Sequence, residues 1–376
     1  MDRFPIRRAV ERLRDGLFDP VAVDRLTVEE EQIKKKFSKG LKALEGGKSE
    51  HLCICGSYGQ GKSHTLTYLN HQALSEGYAT SVVQLDSREV PFHLFSVVYH
   101  NIMEKLSLPD GKTLTQAWKQ QADKLGALEF LETMPHRFRM ILMAMLCKNK
   151  QLSPKERSLK KHRNYRPREF GYWLEKALIG HDIPVTHLRN AFSYREIENF
   201  RGQSLVCRGN APYVQMVQSL GRLLKEIGYK GIVLFFDEAE SIVQARLGNR
   251  VKSYEILDQF FQIHPFVYPI FAFTDDFFDK VNQERYDDSG EMFPKNYAKS
   301  WQDLTIMRLQ DFSSQGWHSL LDRLIQLYGQ AYQIDLPPQM KGTLQALLKT
   351  IEGQETRYKL KALVNKLDIE IQQAML

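Results

Sequence analysis

The stretch His51-Leu52-Cys53-Ile54-Cys55-Gly56-Ser57-Tyr58-Gly59-Gln60-Gly61-Lys62-Ser63-His64 decides the fold. Its first five residues read as a short apolar strand. The following eight match G-x-x-x-x-G-K-[ST], and His64 to Ser75 reads as a helix with Leu66, Leu69 and Leu74 on one side. A glycine-rich turn between a strand and a helix is the context in which this motif holds phosphate. Glycines let the backbone close tightly with its N–H groups pointing inward. The start of the following helix adds partial positive charge. Gly56 to His64 are therefore the candidate nucleotide-binding residues. Lys62 is expected to reach the β- and γ-phosphates of ATP, and the Ser63 hydroxyl to hold Mg²⁺.

Outward from this point the strand–helix alternation continues. Ala79 to Leu85 reads as a second strand and Phe92 to Leu106 as a helix. Gly231 to Phe236, Tyr268 to Thr274 and Leu304 to Leu309 read as further strands, with Pro269 expected at the start of its strand. A helix is expected from Ala239 to about Phe261. Alternation of this kind predicts an α/β fold, a parallel sheet with helices on both faces. Before it, Ile6 to Leu44 reads as helices, the second opening with a Thr27–Glu30 capping box. After it, Ser314 to Leu376 reads as helical, broken at Pro337-Pro338 and Gly353.

The strand ending at Phe236 leads into Asp237-Glu238. A carboxylate at that place can hold Mg²⁺, and the next can orient the attacking water, so Asp237 is the second candidate metal residue and Glu238 the candidate catalytic one. An acidic turn at a strand end is the bland alternative, and the motif at Lys62 weighs against it. Thr274 ends the next strand, where it could reach the water or γ-phosphate or simply cap the strand. Arg357 opens a tail helix, as a γ-phosphate contact or a solvated arginine. Arg246 and Arg250 are candidate arginine fingers toward a neighbouring protomer, against the reading of a solvated helix face.

Lys62 and Asp237 are 175 residues apart. Two strand–helix units need only about 60. About 100 residues are therefore inserted, matching the strandless stretch from Lys112 to Gln203. Residues 135–168 within it carry eleven Lys or Arg and one acid, Glu156, a net +10. The whole 376-residue chain is net +7, so the remainder is net −3. Positive charge concentrated in one segment is the footprint of a polyanion partner. The candidate DNA contacts are Lys155, Arg157, Lys160, Lys161, Arg163, Arg166 and Arg168, in a segment expected to form a loop. Tyr165, Phe170, Tyr172 and Trp173 follow and could stack on bases or simply pack. A solvated basic loop, or one docking on an acidic protein, is the alternative.

Hydrophobic residues make up 43% and charged residues 26%, which excludes disorder as the main state. Four cysteines without a C-x-x-C pair exclude a disulfide scaffold and a zinc ribbon; Cys53 and Cys55 are expected as buried thiols. No apolar run approaches the roughly 20 residues of a membrane span. The first residues lack the apolar core of a signal peptide, so a cytoplasmic location is expected.

The block Arg8-Ala9-Val10-Glu11-Arg12-Leu13-Arg14-Asp15-Gly16 with Ala22-Val23-Asp24-Arg25-Leu26, joined to Gly56–His64, resembles the AAA-type ATP-binding proteins of BREX (bacteriophage exclusion) and related prokaryotic defence systems. The likeness continues through Phe236-Asp237-Glu238, Phe273-Thr274 and Arg308-Leu309 to Arg357 and Leu363–Leu367. It implies an AAA+ core, a helical lid, nucleotide-dependent homo-oligomers and partnership with other defence proteins, often a helicase. By motif position it gives Lys62, Ser63, Asp237 and Glu238 ATPase roles, Thr274 a sensor role and Arg357 a lid-sensor role. Asp275-Asp276-Phe277-Phe278 departs from the pattern, since a small residue is expected after the threonine. The expected organisation is an N-terminal helical segment (1–50), the first part of the core (51–111), the basic helical insertion (112–203), the second part of the core (204–312) and a lid (313–376). The expected activity is that of a DNA-associated ATPase switch or motor. The alternative is a nucleotide-gated scaffold that recruits an effector with little turnover. A stand-alone helicase is excluded, because the 139 residues after Asp237 leave no room for a second core.

Overall fold

The computed structural model describes residues 4–17, 19–48, 50–122, 129–198, 200–262, 264–284 and 293–375. The chain opens with three helices, α1 (Phe4–Arg14), α2 (Pro20–Leu26) and α3 (Glu31–Glu45). Strand β1 (Leu52–Cys55), α4 (Lys62–Ser75), β2 (Ala79–Gln84) and α5 (Phe95–Glu104) follow. Next come α6 (Leu114–Ala122), α7 (His136–Leu146), α8 (Pro154–Ser158), α9 (Pro167–Leu178) and α10 (Val185–Tyr194). The sheet resumes through α11 (Ala211–Glu226), β3 (Ile232–Asp237), α12 (Leu247–Phe261), β4 (Val267–Phe273), α13 (Phe277–Gln283), α14 (Tyr297–Ser300) and β5 (Ile306–Arg308). Helices α15 (Ser314–Tyr332), α16 (Met340–Thr350) and α17 (Thr356–Met375) end it.

The five strands are all parallel, in the order β2-β3-β4-β1-β5. Because β1 lies between β4 and β5, the turn that follows it opens at a crevice at the carboxyl edge of the sheet, where parallel sheets bind ligands. Both faces are covered, so the strands read as continuous apolar runs rather than alternating ones. One face, with Cys53, Cys55, Phe236 and Phe271, packs against α5, α11 and α12. The other, with Ile54, Phe235, Ile270 and Ala272, packs against α3 and α4. Helix α3 comes so close that a Cβ on Gly40 would stand 2.3 Å from the Tyr268 ring. Pro269 is third in its strand, not first. It pairs with Leu234 of β3, but β1 begins only opposite Ile270, so its missing N–H leaves no gap in that ladder.

Residues 4–50 divide between two cores. Helices α1 and α2 bury Ile6, Val10, Leu13 and Leu26 against Leu321, Leu324 and Leu363 of the C-terminal helices, whereas α3 belongs to the sheet. Arg14 fastens this second core by donating to both carboxylate oxygens of Asp368, at 2.7 and 2.9 Å. The expected capping box at Thr27 is absent. Asp19 caps α2 ahead of Pro20, and Thr27 closes that helix with its hydroxyl donating back to Val23 O at 2.7 Å. Residues 112–203 contain no strand among the described residues, and their apolar side chains, Trp118, Phe138 and Phe170 among them, continue the core of the sheet. The segment after Asp237 is not one helix. A 3-10 turn (Ala239–Gln244) precedes α12, because the chain leaves β3 through Glu238 in a left-handed conformation (φ 55°).

Candidate functional site

The turn after β1 folds as its glycines dictate. Gly59 and Gly61 have φ +74° and +99°, a region that L side chains rarely enter. Gln60 braces the turn: its Oε1 accepts from Ser57 N at 2.8 Å and its Nε2 donates to Leu309 O at 3.2 Å. Ser57 Oγ donates to Asp275 Oδ2 at 2.9 Å, and Arg308 meets the other oxygen of that carboxylate at 3.4 Å. The acidic residue after Thr274 thus anchors the turn, while Phe277 and Phe278 pack on Phe273 at 4.0 and 5.4 Å. These contacts account for the large residues where small ones were expected.

Lys62 opens α4 with its side chain buried; its Nζ donates to Gly56 O at 2.8 Å and Ser57 O at 3.2 Å. Ser63 Oγ donates to Asp237 Oδ2 at 2.6 Å, across the end of β4, and the other Asp237 oxygen accepts from Glu238 N at 2.9 Å. Glu238 is exposed, and its Oε1 accepts from Gln84 Nε2 at 3.1 Å. Thr274 follows β4, between these two motifs.

Lys62, Ser63, Asp237, Glu238 and Thr274 line one cleft of about 1350 Å³. Val28 and Glu29 of the α2–α3 connection, Ile33 of α3, Arg323 of α15 and Arg357 of α17 line it too. Arg357 lies 5.2 Å over the Tyr58 ring and donates to its hydroxyl at 3.2 Å. His64 turns away from the turn; its Nε2 lies 2.8 Å from Thr27 Oγ1. Since that hydroxyl donates to Val23 O, the imidazole is the donor, and burial pushes its pKa down to about 4.

The donor set fits a magnesium nucleotide. An α4 N-terminus, an ammonium and two left-handed glycines suit an oxyanion. The hydroxyl and carboxylate joined at 2.6 Å are hard oxygens of the kind Mg²⁺ takes.

Glu240 is a cleft residue the sequence reading did not single out. Its Oε1 lies 3.9 Å from Lys62 Nζ, and burial raises its pKa. The signal was its position three residues after Asp237, one 3-10 turn on. Gln84 was also passed over, although β2 ends beside β3 in register, Gln84 opposite Asp237.

Arg246 and Arg250 do not line the cleft. Arg246 is exposed at the start of α12, while Arg250 is engaged within the chain by Glu284 at 3.1 Å and Ala245 O at 3.2 Å.

The basic residues Lys155, Arg157, Lys160, Lys161, Arg163, Arg166 and Arg168 are all exposed. Their segment is not the expected loop. Ser153 and Glu156 form a capping box that starts α8, a 3-10 turn follows, and α9 begins at Pro167. Phe170 and Trp173 are buried and Tyr165 packs 4.9 Å from Tyr194, so of the four aromatics Tyr172 alone is exposed.

The model of the family BREX system ATP-binding protein BrxC/D matches residues 5–121 and 209–374. The chain belongs to that family. The match covers the cleft residues of this BREX ATP-binding protein and leaves out residues 122–208, which include the exposed cations of 155–168. Comparison with curated proteins gives no match. Among its described residues no helix is long and apolar enough to cross a membrane.

Proposed function

We propose that this BREX ATP-binding protein is an AAA+ ATPase that acts as a DNA-associated switch or motor subunit of the defence system. The observation that carries the reading is the convergence of Lys62, the Ser63–Asp237 pair and Glu238 in one cleft. ATP is the substrate. The Gly56–Ser63 amides and Lys62 hold its phosphates. Ser63 and Asp237 would hold Mg²⁺, which supplies charge neutralisation at the phosphate oxygens. Glu238, once released from Gln84, accepts a proton from the attacking water. Thr274 positions that water, and Arg357 supplies positive charge from α15–α17, which serve as the lid. The boundaries 51–111 and 204–312 for the core, 112–203 for the insertion and 313–376 for the lid belong to this reading, with α1 and α2 joined to the lid.

The exposed cations of residues 155–168 take the DNA backbone. Lys155 and Arg157 sit on a capped helical turn, and the cations that follow lie on a 3-10 turn and the start of α9 beside packed aromatics, so little conformational freedom is lost on binding. Arg246 is the remaining candidate finger toward a second copy in an oligomer. Partners among other defence proteins, including a helicase, follow from the family, and a cytoplasmic location agrees with this role.

A second reading has its own observation. The Gln84–Glu238 hydrogen bond occupies the carboxylate that would activate water, as a nucleotide-gated scaffold with little turnover requires. Steady-state ATP hydrolysis with and without duplex DNA, with Glu238→Gln as the blank, decides between them. Stimulation by DNA supports the switch or motor. Slow turnover indifferent to DNA supports the scaffold.

A further inference from the structure

The amine of Lys62 already has an anion beside it. The side chain is 8% exposed, and its hydrogen-bond acceptors are two neutral carbonyls, Gly56 O and Ser57 O. Among the described residues, its ion pair is with Glu240, whose Oε1 stands 3.9 Å away on a side chain only 18% exposed. The other carboxylate oxygen of Glu240 is buried without a hydrogen-bond partner. A buried ammonium requires compensating charge, and a buried carboxylate equally requires a cation. Each group is the other's nearest solution.

The neighbouring acids do not share this task. Asp237 is committed to Ser63 and to the Glu238 amide, and Glu238 is exposed and held by Gln84. Glu240 is fixed by the 3-10 turn Ala239–Gln244, whereas Lys62 has a long flexible stem. At 3.9 Å the pair is held by charge and not by a hydrogen bond, so the amine can leave without breaking one.

We propose that Glu240 is the resident counter-ion of Lys62, displaced by the polyphosphate of an incoming nucleotide. Glu240 is thus a positioning residue that holds the Lys62 amine by charge and sets nucleotide affinity below what Lys62 alone would give. The inference rests on the nucleotide-binding reading of the cleft. Two anions competing for one amine in a partly desolvated site make an effect of about tenfold in affinity reasonable.

The experiment titrates ATP onto the full chain in magnesium buffer, comparing wild type, Glu240→Gln, Lys62→Ala and the double variant, with melting curves to establish folding. Glu240→Gln is expected to bind about tenfold tighter, and the double variant no tighter than Lys62→Ala alone. Glu240→Asp, which keeps the charge, is expected near wild type and serves if Glu240→Gln does not fold. Unchanged or weaker binding by Glu240→Gln overturns the proposal, as does an equal gain in the Lys62→Ala background or tenfold tightening by Glu240→Asp. Wild-type affinity in Lys62→Ala would instead refute the nucleotide site itself.

Discussion

Ser63 and Asp237 are 174 residues apart in the chain, and the hydroxyl of one donates to the carboxylate of the other at 2.6 Å. The contact joins the first turn of α4 to the end of β3 across one intervening strand, β4. Two oxygens so placed suit Mg²⁺ held jointly with phosphate. Asp237→Asn keeps the shape and removes the charge. Hydrolysis should fall about 100-fold, the scale of a lost metal ligand or orienter. ATP affinity measured in chelator should stay within about threefold of wild type. Normal magnesium-dependent turnover would remove Asp237 from the metal site.

Gln84 restrains Glu238 through a hydrogen bond of 3.1 Å to a charged acceptor. Such bonds contribute about 1.5–3 kcal/mol, and part of that is lost to water at an exposed site. Gln84→Ala should therefore raise kcat about three- to tenfold with little change in KM. A fall in kcat would show that Gln84 aids the carboxylate instead of restraining it.

Gly61 has φ +99° and open space where a Cβ would stand, so Gly61→Ala tests backbone strain alone. A left-handed non-glycine residue costs about 1–2 kcal/mol. Because the free turn can relax out of that shape and must re-form it to bind, ATP affinity should drop about five- to thirtyfold with little change in melting temperature. Unchanged affinity would show that the turn does not need its left-handed shape to bind.

His64 is neutral in the fold, its pKa pushed by burial from an ordinary value of 6.5 down to about 4. The unfolded chain binds this proton more readily. The stability contributed by keeping the ring neutral is therefore full above pH 6.5 and is lost as pH falls through 4. The loss is about 3 kcal/mol at most. His64→Asn should show a shallower decline in melting temperature between pH 6.5 and 4 than wild type. Parallel declines would place the acid sensitivity elsewhere.

If the exposed cations take DNA phosphates, neutralising Lys160, Lys161, Arg163 and Arg166 should flatten the plot of log affinity against log salt. Each lost phosphate contact removes about 0.9 from the slope. An unchanged slope would locate any DNA surface outside this segment.

The glycine-rich turn after β1 was legible because its residues are contiguous and glycine, lysine and serine each have one physical reason to stand there. Strands β1 to β4 were legible because a sheet covered on both faces leaves uninterrupted apolar runs. The α1–α2 partnership with the C-terminal helices was not, since amphipathic helices state that they have a partner without naming it. Thr27 carried a helix-start pattern three residues before Glu30, yet its hydroxyl turns backward to Val23 O. Asp19-Pro20 was the truer signal of where a helix begins. Glu240 escaped because its neighbour Glu238 already filled the expected role, and only the 3-10 turn after β3 aims it at Lys62.

In the proposed function this cleft binds and hydrolyses ATP with Glu238 as the proton acceptor. The most direct measurement pairs ATP binding with steady-state turnover for wild type and Glu238→Gln. Affinity is expected within about threefold of wild type, and turnover reduced by about 100-fold or more. Turnover that survives the substitution with binding intact would contradict it.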